Sequence, residues 1–382
     1  MIKKIKKLCD DTGSVDFILL STILLLVSIG VIMVFSASSY ISLHSKIYGN
    51  NQMYFFLRQG SFAVVGIIMM FFVSRINYKK YKKKKFLLWG MGITAVSLIA
   101  ALFFPEINGA RRWVRLGPLG FQPSELAKYI VVFFSAASIA RKGEKMKSFT
   151  YGVLPYLAVA GAFAGLVLLG KNLSIATIIL GTTIIMLIVG GIKIAHIALL
   201  GIGAIGFGTF FILVEPYRIA RVMFFLDPFK DPQGKGYQLI QSWFALSSGG
   251  VIGQGLGQSR QKAFFLPEPH NDFIFAIIGE EFGFIGCFLL ILLIILLLTR
   301  GLKVVLNAED IHGMLLALGI TCVLGLQAII NIAVVSGAMP VTGVPLPFIS
   351  YGGTALMINL FAAGVLLNIS IHSKKRKISK KK

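Results

Sequence analysis

The chain alternates long apolar runs with short polar connections. Ten runs can be marked, at about 17–37, 58–76, 86–104, 124–140, 152–170, 173–190, 193–214, 273–299, 311–337 and 349–371. Each approaches the roughly 20 residues that carry a helix across a bilayer. They predict an all-α polytopic membrane protein with about ten transmembrane helices, forming one transmembrane domain over residues 1–382. The first run is longer than the apolar core of a cleavable signal, about 7–15 residues. It reads as a first span that also targets the chain. The connection between the seventh and eighth runs, residues 215–272, is far longer than the others, and long connections tend to be functional.

Composition strengthens this picture. Hydrophobic residues make up 56% of the chain and charged ones 14%, too few charges to cover a water-facing surface. The net charge of +23 suggests a nucleic-acid binder until the charges are located. Seven of the residues from Lys374 to Lys382 are basic, six of those from Lys79 to Lys85 are lysines, and Lys3, Lys4, Lys6 and Lys7 precede the first run. Such tracts beside apolar runs hold a loop in the cytoplasm and bind anionic headgroups, so no nucleic-acid partner is expected. With an even number of spans, 25 Lys and Arg fall on the side of the tails and 12 on the other. That asymmetry predicts cytoplasmic tails at 1–16 and 372–382, with 215–272 outside. Cys9, Cys287 and Cys322 are too scattered for a disulfide framework or a metal site.

The exterior connections hold the candidate chemistry. Gly249 to Gly257 is glycine-rich but lacks the strand and the lysine of a phosphate loop, and reads as a tight turn or a close helix approach. Glu125 and Lys128 lie three apart at the start of the fourth run and can pair. They line a cavity or fix helix packing. Glu280 and Glu281 enter the eighth run; adjacent on a helix, they should not face one partner. They serve a proton relay or are capped by a buried Lys or backbone donors. Gln327, Asn331 and Asn359 suit hydrogen bonds between helices. Residues 262–273 gather Lys262, Glu268, His270 and Asp272 at the mouth of the eighth run, where Asp272 by itself reads as a helix N-cap.

Four blocks occur in order: Asn108 to Trp113 leading to Gln122-Pro123-Ser124-Glu125, Phe225 to Pro228, Leu266 to Phe275, and Pro340 to Gly353. Together they resemble the SEDS family, the polytopic cell-wall proteins typified by FtsW, RodA and SpoVE. Residues 231–234 and 257–262 are closer to the division and sporulation members than to the RodA type. One departure stands out. Where many members carry an acid at the start of the sixth run, this chain has Lys171 and Asn172, so no carboxylate role is carried to that position.

The resemblance implies a peptidoglycan glycosyltransferase that polymerises lipid II, the undecaprenyl-pyrophosphate-linked disaccharide pentapeptide, at the outer face of the bacterial cytoplasmic membrane. Septal synthesis in cell division is the expected role. It implies Asp272 as the catalytic base, with Glu268 and Glu280 as secondary candidates. Arg111, Arg112, Trp113, Gln122, Arg260, Lys262, His270 and Ser350 are expected on the substrate, and Arg115 and Arg221 are further cations near it. Arginine suits pyrophosphate because its planar fork donates paired hydrogen bonds. Glu125 and Lys128 are expected as a cavity ion pair. A class B penicillin-binding protein, a transpeptidase, and other divisome proteins are the implied partners. A divalent cation, Mg or Mn, could assist at the pyrophosphate, although no ligand cage is visible in the sequence. Two other readings stay open: a lipid II flippase, which needs charges along the full depth of the membrane, and a non-enzymatic division scaffold.

Overall fold

The computed structural model describes residues 15–107, 109–116, 119–214, 219, 223–234 and 236–373. The basic tracts at 3–7 and 374–382, together with Cys9, Asn108 and Arg221, lie outside the described residues. Each predicted run holds a helix: α1 (Phe17–Leu43), α2 (Tyr54–Ser74), α3 (Lys84–Leu102), α4 (Pro123–Lys142), α5 (Leu154–Leu169), α6 (Leu173–Val189) and α7 (Ile194–Val214). After α8 (Tyr237–Gly249) come α9 (Ile274–Asn307), α10 (Ile311–Val335) and α11 (Gly353–Ile371). Seven helical segments among the described residues are long and apolar enough to cross a membrane. α6 is shorter, at 17 residues, and α4 is less apolar because Glu125 and Lys128 occupy its first two turns.

Local chemistry sets several of the starts. The Asp16 carboxylate accepts from Leu19 N at 3.0 Å to cap α1, and Asp310 accepts from Gly313 N at 2.8 Å to cap α10. Pro123 opens α4, where its missing N–H costs nothing. Asn172 caps α6, accepting from Ile175 N at 3.3 Å. An amide does there what an acid would do as a cap, which accounts structurally for one half of the sequence departure.

α10 and α11 are the most enclosed of the seven membrane-length segments, and α2 lies along α11. The outer faces of α2 and α3 expose Leu57, Phe72, Trp89 and Val96, as expected for a surface meant for lipid. At one end of the bundle, the tail end, polar ties lock the helix termini. Tyr78 Oη donates to Asp310 at 2.9 Å, Asn368 Nδ2 donates to Ser74 O at 2.7 Å, and Arg300 pairs with Asp16. At the other end, the loop end, residues 259–273, 338–352 and a short hairpin converge. The hairpin pairs β1 (Val114–Leu116) with β2 (Leu119–Phe121) in antiparallel register.

Two features depart from the sequence reading. The 215–272 connection carries α8, which buries Leu239, Ile240 and Ala245 and packs along α9. In addition, α9 is not continuous. Gly283, at φ 64° and ψ −162°, breaks it one turn after Glu280. The backbone groups freed by the break are taken up by the glycine-rich segment. Gln254 N and Gly255 N donate to Glu280 O and Glu281 O at 3.0 and 2.9 Å, while Phe284 N and Ile285 N donate to Gly250 O and Val251 O at 2.9 and 3.1 Å. Broken backbone survives inside an apolar bundle only when every freed group finds a partner, and this segment supplies them.

Candidate active site

Asp272 ends the loop-end segment that runs into α9. Taken by itself in the sequence Asp272 suits an N-cap, but Phe273 holds that position and no side chain caps the helix. The carboxylate instead turns to the 338–348 connection. A Cβ placed on Gly343 would lie 3.2 Å from Asp272 Oδ2 and 3.7 Å from Arg112 Nη1, so the acid and the guanidinium share the space over that glycine. Asn331 fixes the backbone around them: its Nδ2 donates to Asp272 O and to Val344 O, both at 2.8 Å. A residue read as an interhelical contact thus ties the two loops that frame the acid.

Arg112 reaches this point from the other side of the bundle mouth. Its Nε donates to Gly170 O at 3.3 Å and its Nη2 donates to Lys171 O. Lys171 adopts φ 60°, which presents these carbonyls. The 170–172 segment therefore offers two backbone acceptors to Arg112 and, through the Asn172 side chain, a helix cap. Arg111 is exposed, paired with Glu106 at 3.3 Å and donating to Leu102 O at 3.2 Å. Trp113 lies against Gly120 of the hairpin, and Gln122 Nε2 donates to Ser124 Oγ at 3.1 Å. A cleft between α3, α4 and α5 opens beside them, lined by Arg111, Arg112, Ser124 and Asn172 among apolar residues.

His270 and Ser350 form the wall behind. The imidazole is buried between Phe55 and Tyr351, with ring centroids 4.4 and 5.5 Å away, and its carbonyl accepts from Tyr351 N at 2.8 Å. Burial pushes its pKa down to about 4, so the ring is neutral at neutral pH. Ser350 is buried, its Oγ accepting from Leu346 N at 2.8 Å and its carbonyl accepting from Gln59 Nε2 at 3.2 Å. Glu268, at φ 51°, lies 3.9 Å from His270 Nε2 and accepts from Asn271 Nδ2 at 2.6 Å; burial raises its pKa.

Lys262 and Glu280 lie apart from this space. Lys262 Nζ is buried against Glu281 at 2.7 Å and Ser36 Oγ at 3.1 Å. Glu280 accepts from Ser259 Oγ, from Arg260 N at 2.9 Å and from Gln261 N at 3.3 Å. The two carboxylates were expected to face different partners, yet one turn, 259–262, reaches both, and Ser259 touches each. Of that turn, Arg260 alone is exposed. Glu125 and Lys128 pair at 2.8 Å in full burial, and Glu125 Oε1 has no partner. Among the described residues no group of three or more His, Cys, Asp or Glu converges as metal ligands. Ser36, Gln59 and Gly343 were not singled out in sequence; they are ordinary span or loop residues, and only the fold brings them to the site.

A bundle of apolar, membrane-length helices with an acid and an arginine together at its loop end defines a polytopic membrane protein. The chain belongs to the cell cycle protein family of FtsW, RodA and SpoVE, whose model matches residues 17–375. Stage V sporulation protein E of Bacillus subtilis (strain 168) is 41% identical over 366 residues, 94% of this chain and 98% of that protein. A probable peptidoglycan glycosyltransferase FtsW of Geobacter sp. (strain M18) is 40% identical over 361 residues, 93% of this chain and 96% of that protein. Among solved structures, a chain from a peptidoglycan synthase complex that coordinates polymerization and crosslinking superposes with a TM-score of 0.75 at 27% identity, covering 93% of this chain and 97% of its own. The rod shape determining protein RodA of Thermus thermophilus gives a TM-score of 0.69 at 25% identity, covering 95% and 98%. The all-helical expectation and the family resemblance hold; this is a bacterial membrane protein.

Proposed function

We propose that the chain is a peptidoglycan glycosyltransferase that polymerises lipid II at the outer face of the cytoplasmic membrane, with both termini cytoplasmic and a role at the division septum. The observation that carries this is the convergence of Asp272 and Arg112 on the space over Gly343. Asp272 takes the proton from the acceptor sugar 4-hydroxyl as that oxygen bonds to the donor's anomeric carbon. The bond from that carbon to the pyrophosphate breaks, and the lipid pyrophosphate leaves with the electron pair. Arg112, with Arg111 and Arg260 nearer the surface, holds the pyrophosphate. His270 and Ser350 shape the wall, and Trp113 and Gln122 the hairpin side. A divalent cation, Mg or Mn, would be held mainly by pyrophosphate oxygens rather than by a protein cage, and titrating metal into a polymerisation assay tests that. A class B penicillin-binding protein is the proposed partner.

The flippase reading needs charges open along a path. Lys128 with Glu125 and Lys262 with Glu281 are instead closed on each other in buried pairs, which favours the enzyme. The deciding experiment is Asp272→Asn in purified protein given lipid II, followed by gel analysis of glycan. Asn keeps the shape but cannot take the proton. We expect a folded variant that makes no glycan; near-normal polymer length would move the role to Glu268.

A further inference from the structure

We propose that the cavity at the tail end, between α1, α9 and α11, binds a phosphate-bearing anion, with the headgroup of an anionic membrane lipid as its source. The cavity measures about 300 Å³ and opens to the surface. That is at the lower end of the size of small-ligand sites, roughly 300–1,000 Å³. Arg300, Lys303 and Asn307 line it from α9, spaced so that they fall on one helical face.

The donors there are unusually uncommitted. Arg300 donates to Asp16 through Nε, at 3.1 and 3.2 Å, and through Nη2 at 2.5 Å, which leaves Nη1 without a partner among the described residues. Lys303 and Asn307 make no side-chain hydrogen bond there either. The first turn of α1, Phe17 and Ile18, forms the opposite wall. Its amides have no intrahelical acceptor and carry the positive end of the helix dipole, an arrangement that attracts phosphate. Among the described lining residues the acid is Asp16, which already accepts from Arg300 and Leu19 N, so its charge is paired in place.

The surroundings choose a lipid over a soluble phosphate. Leu302 and Leu306 flank Lys303 on α9 and are 47% and 84% exposed, and Phe17 on the other wall is 71% exposed. Acyl chains would lie on these side chains while the phosphate met the donors. Basic pockets between membrane helices at the cytoplasmic face take anionic headgroups in this way.

The test is native mass spectrometry of the full-length protein in detergent with phosphatidylglycerol, with phosphatidylcholine, and with phosphatidylglycerol plus excess inorganic phosphate. Lys303→Gln is compared with Lys145→Gln, an exposed lysine away from the cavity. We expect one retained phosphatidylglycerol, about fivefold weaker in Lys303→Gln, from the contribution of one basic residue near an anionic surface. Lys145→Gln should match the parent, and phosphatidylcholine should not be retained. Displacement of the lipid by inorganic phosphate, with the same Lys303 dependence, would keep the site and assign it to a soluble phosphate. Equal retention by Lys303→Gln and the parent, or equal retention of phosphatidylcholine, would overturn the proposal.

Discussion

Arg112 joins two parts of the molecule with one side chain, because its fork reaches the carbonyls of Gly170 and Lys171 and still leaves Nη1 near Asp272. Lysine has the charge but not the fork. We expect Arg112→Lys to fold and insert normally yet polymerise lipid II roughly tenfold or more slowly, the scale of one or two hydrogen bonds to charged groups. Unchanged polymerisation in that variant would remove Arg112 from the site. His270 gives a second test at this scale. With its pKa depressed to about 4 from an ordinary 6.5, the folded state holds the neutral ring and the unfolded chain binds the proton first. Its contribution is complete above pH 6.5 and is lost as pH falls from there toward 4. The loss should approach about 3 kcal/mol. Thermal unfolding in detergent should therefore show a falling midpoint from pH 7 to pH 5, and His270→Gln should flatten that slope; equal slopes would argue against it. In sequence His270 was one polar residue in a busy segment, because its neutrality comes from Phe55 and Tyr351, more than 80 residues away on either side.

The break in α9 is the element on which the loop end is built. Gly253, at φ +92°, and Gly283, at φ +64°, face each other so closely that a Cβ on either would strike the other's backbone. An alanine at Gly253 meets both a left-handed backbone and a steric clash, which together should cost more than about 1–3 kcal/mol. We expect Gly253→Ala to lower the unfolding midpoint in detergent and to reduce polymerisation, whereas Ala at the open Gly92 should do neither. A Gly253→Ala protein as stable as the parent would show that the segment does not brace the break. The glycines were legible as a tight turn or close approach. Their partner was not, because a helix interior with several glycines, such as Gly279, Gly283, Gly286 and Gly301 in α9, reads the same whether it is straight or broken.

Across the whole molecule, the buried Lys262–Glu281 pair ties the 259–262 turn to α9 and, through Ser36, to α1. Removing one partner strands a buried charge, at a cost of about 3–5 kcal/mol. Lys262→Met should therefore unfold at a markedly lower temperature in detergent, and adding Glu281→Gln should recover part of the loss by removing the stranded charge. A double variant no better than the single one would mean that the pair is not what holds the turn. The sequence by itself determined the helical membrane class, the apolar runs, the family and the motif segments, because span length, hydropathy and motif order are local properties of the chain. The tertiary structure alone decided that Asp272 faces Arg112 rather than capping α9, that Lys262 is buried against Glu281, and that Asn331 and Gly343 frame the acid. Those contacts join residues tens to hundreds of positions apart, and hydropathy says only that each must find a partner, not which one.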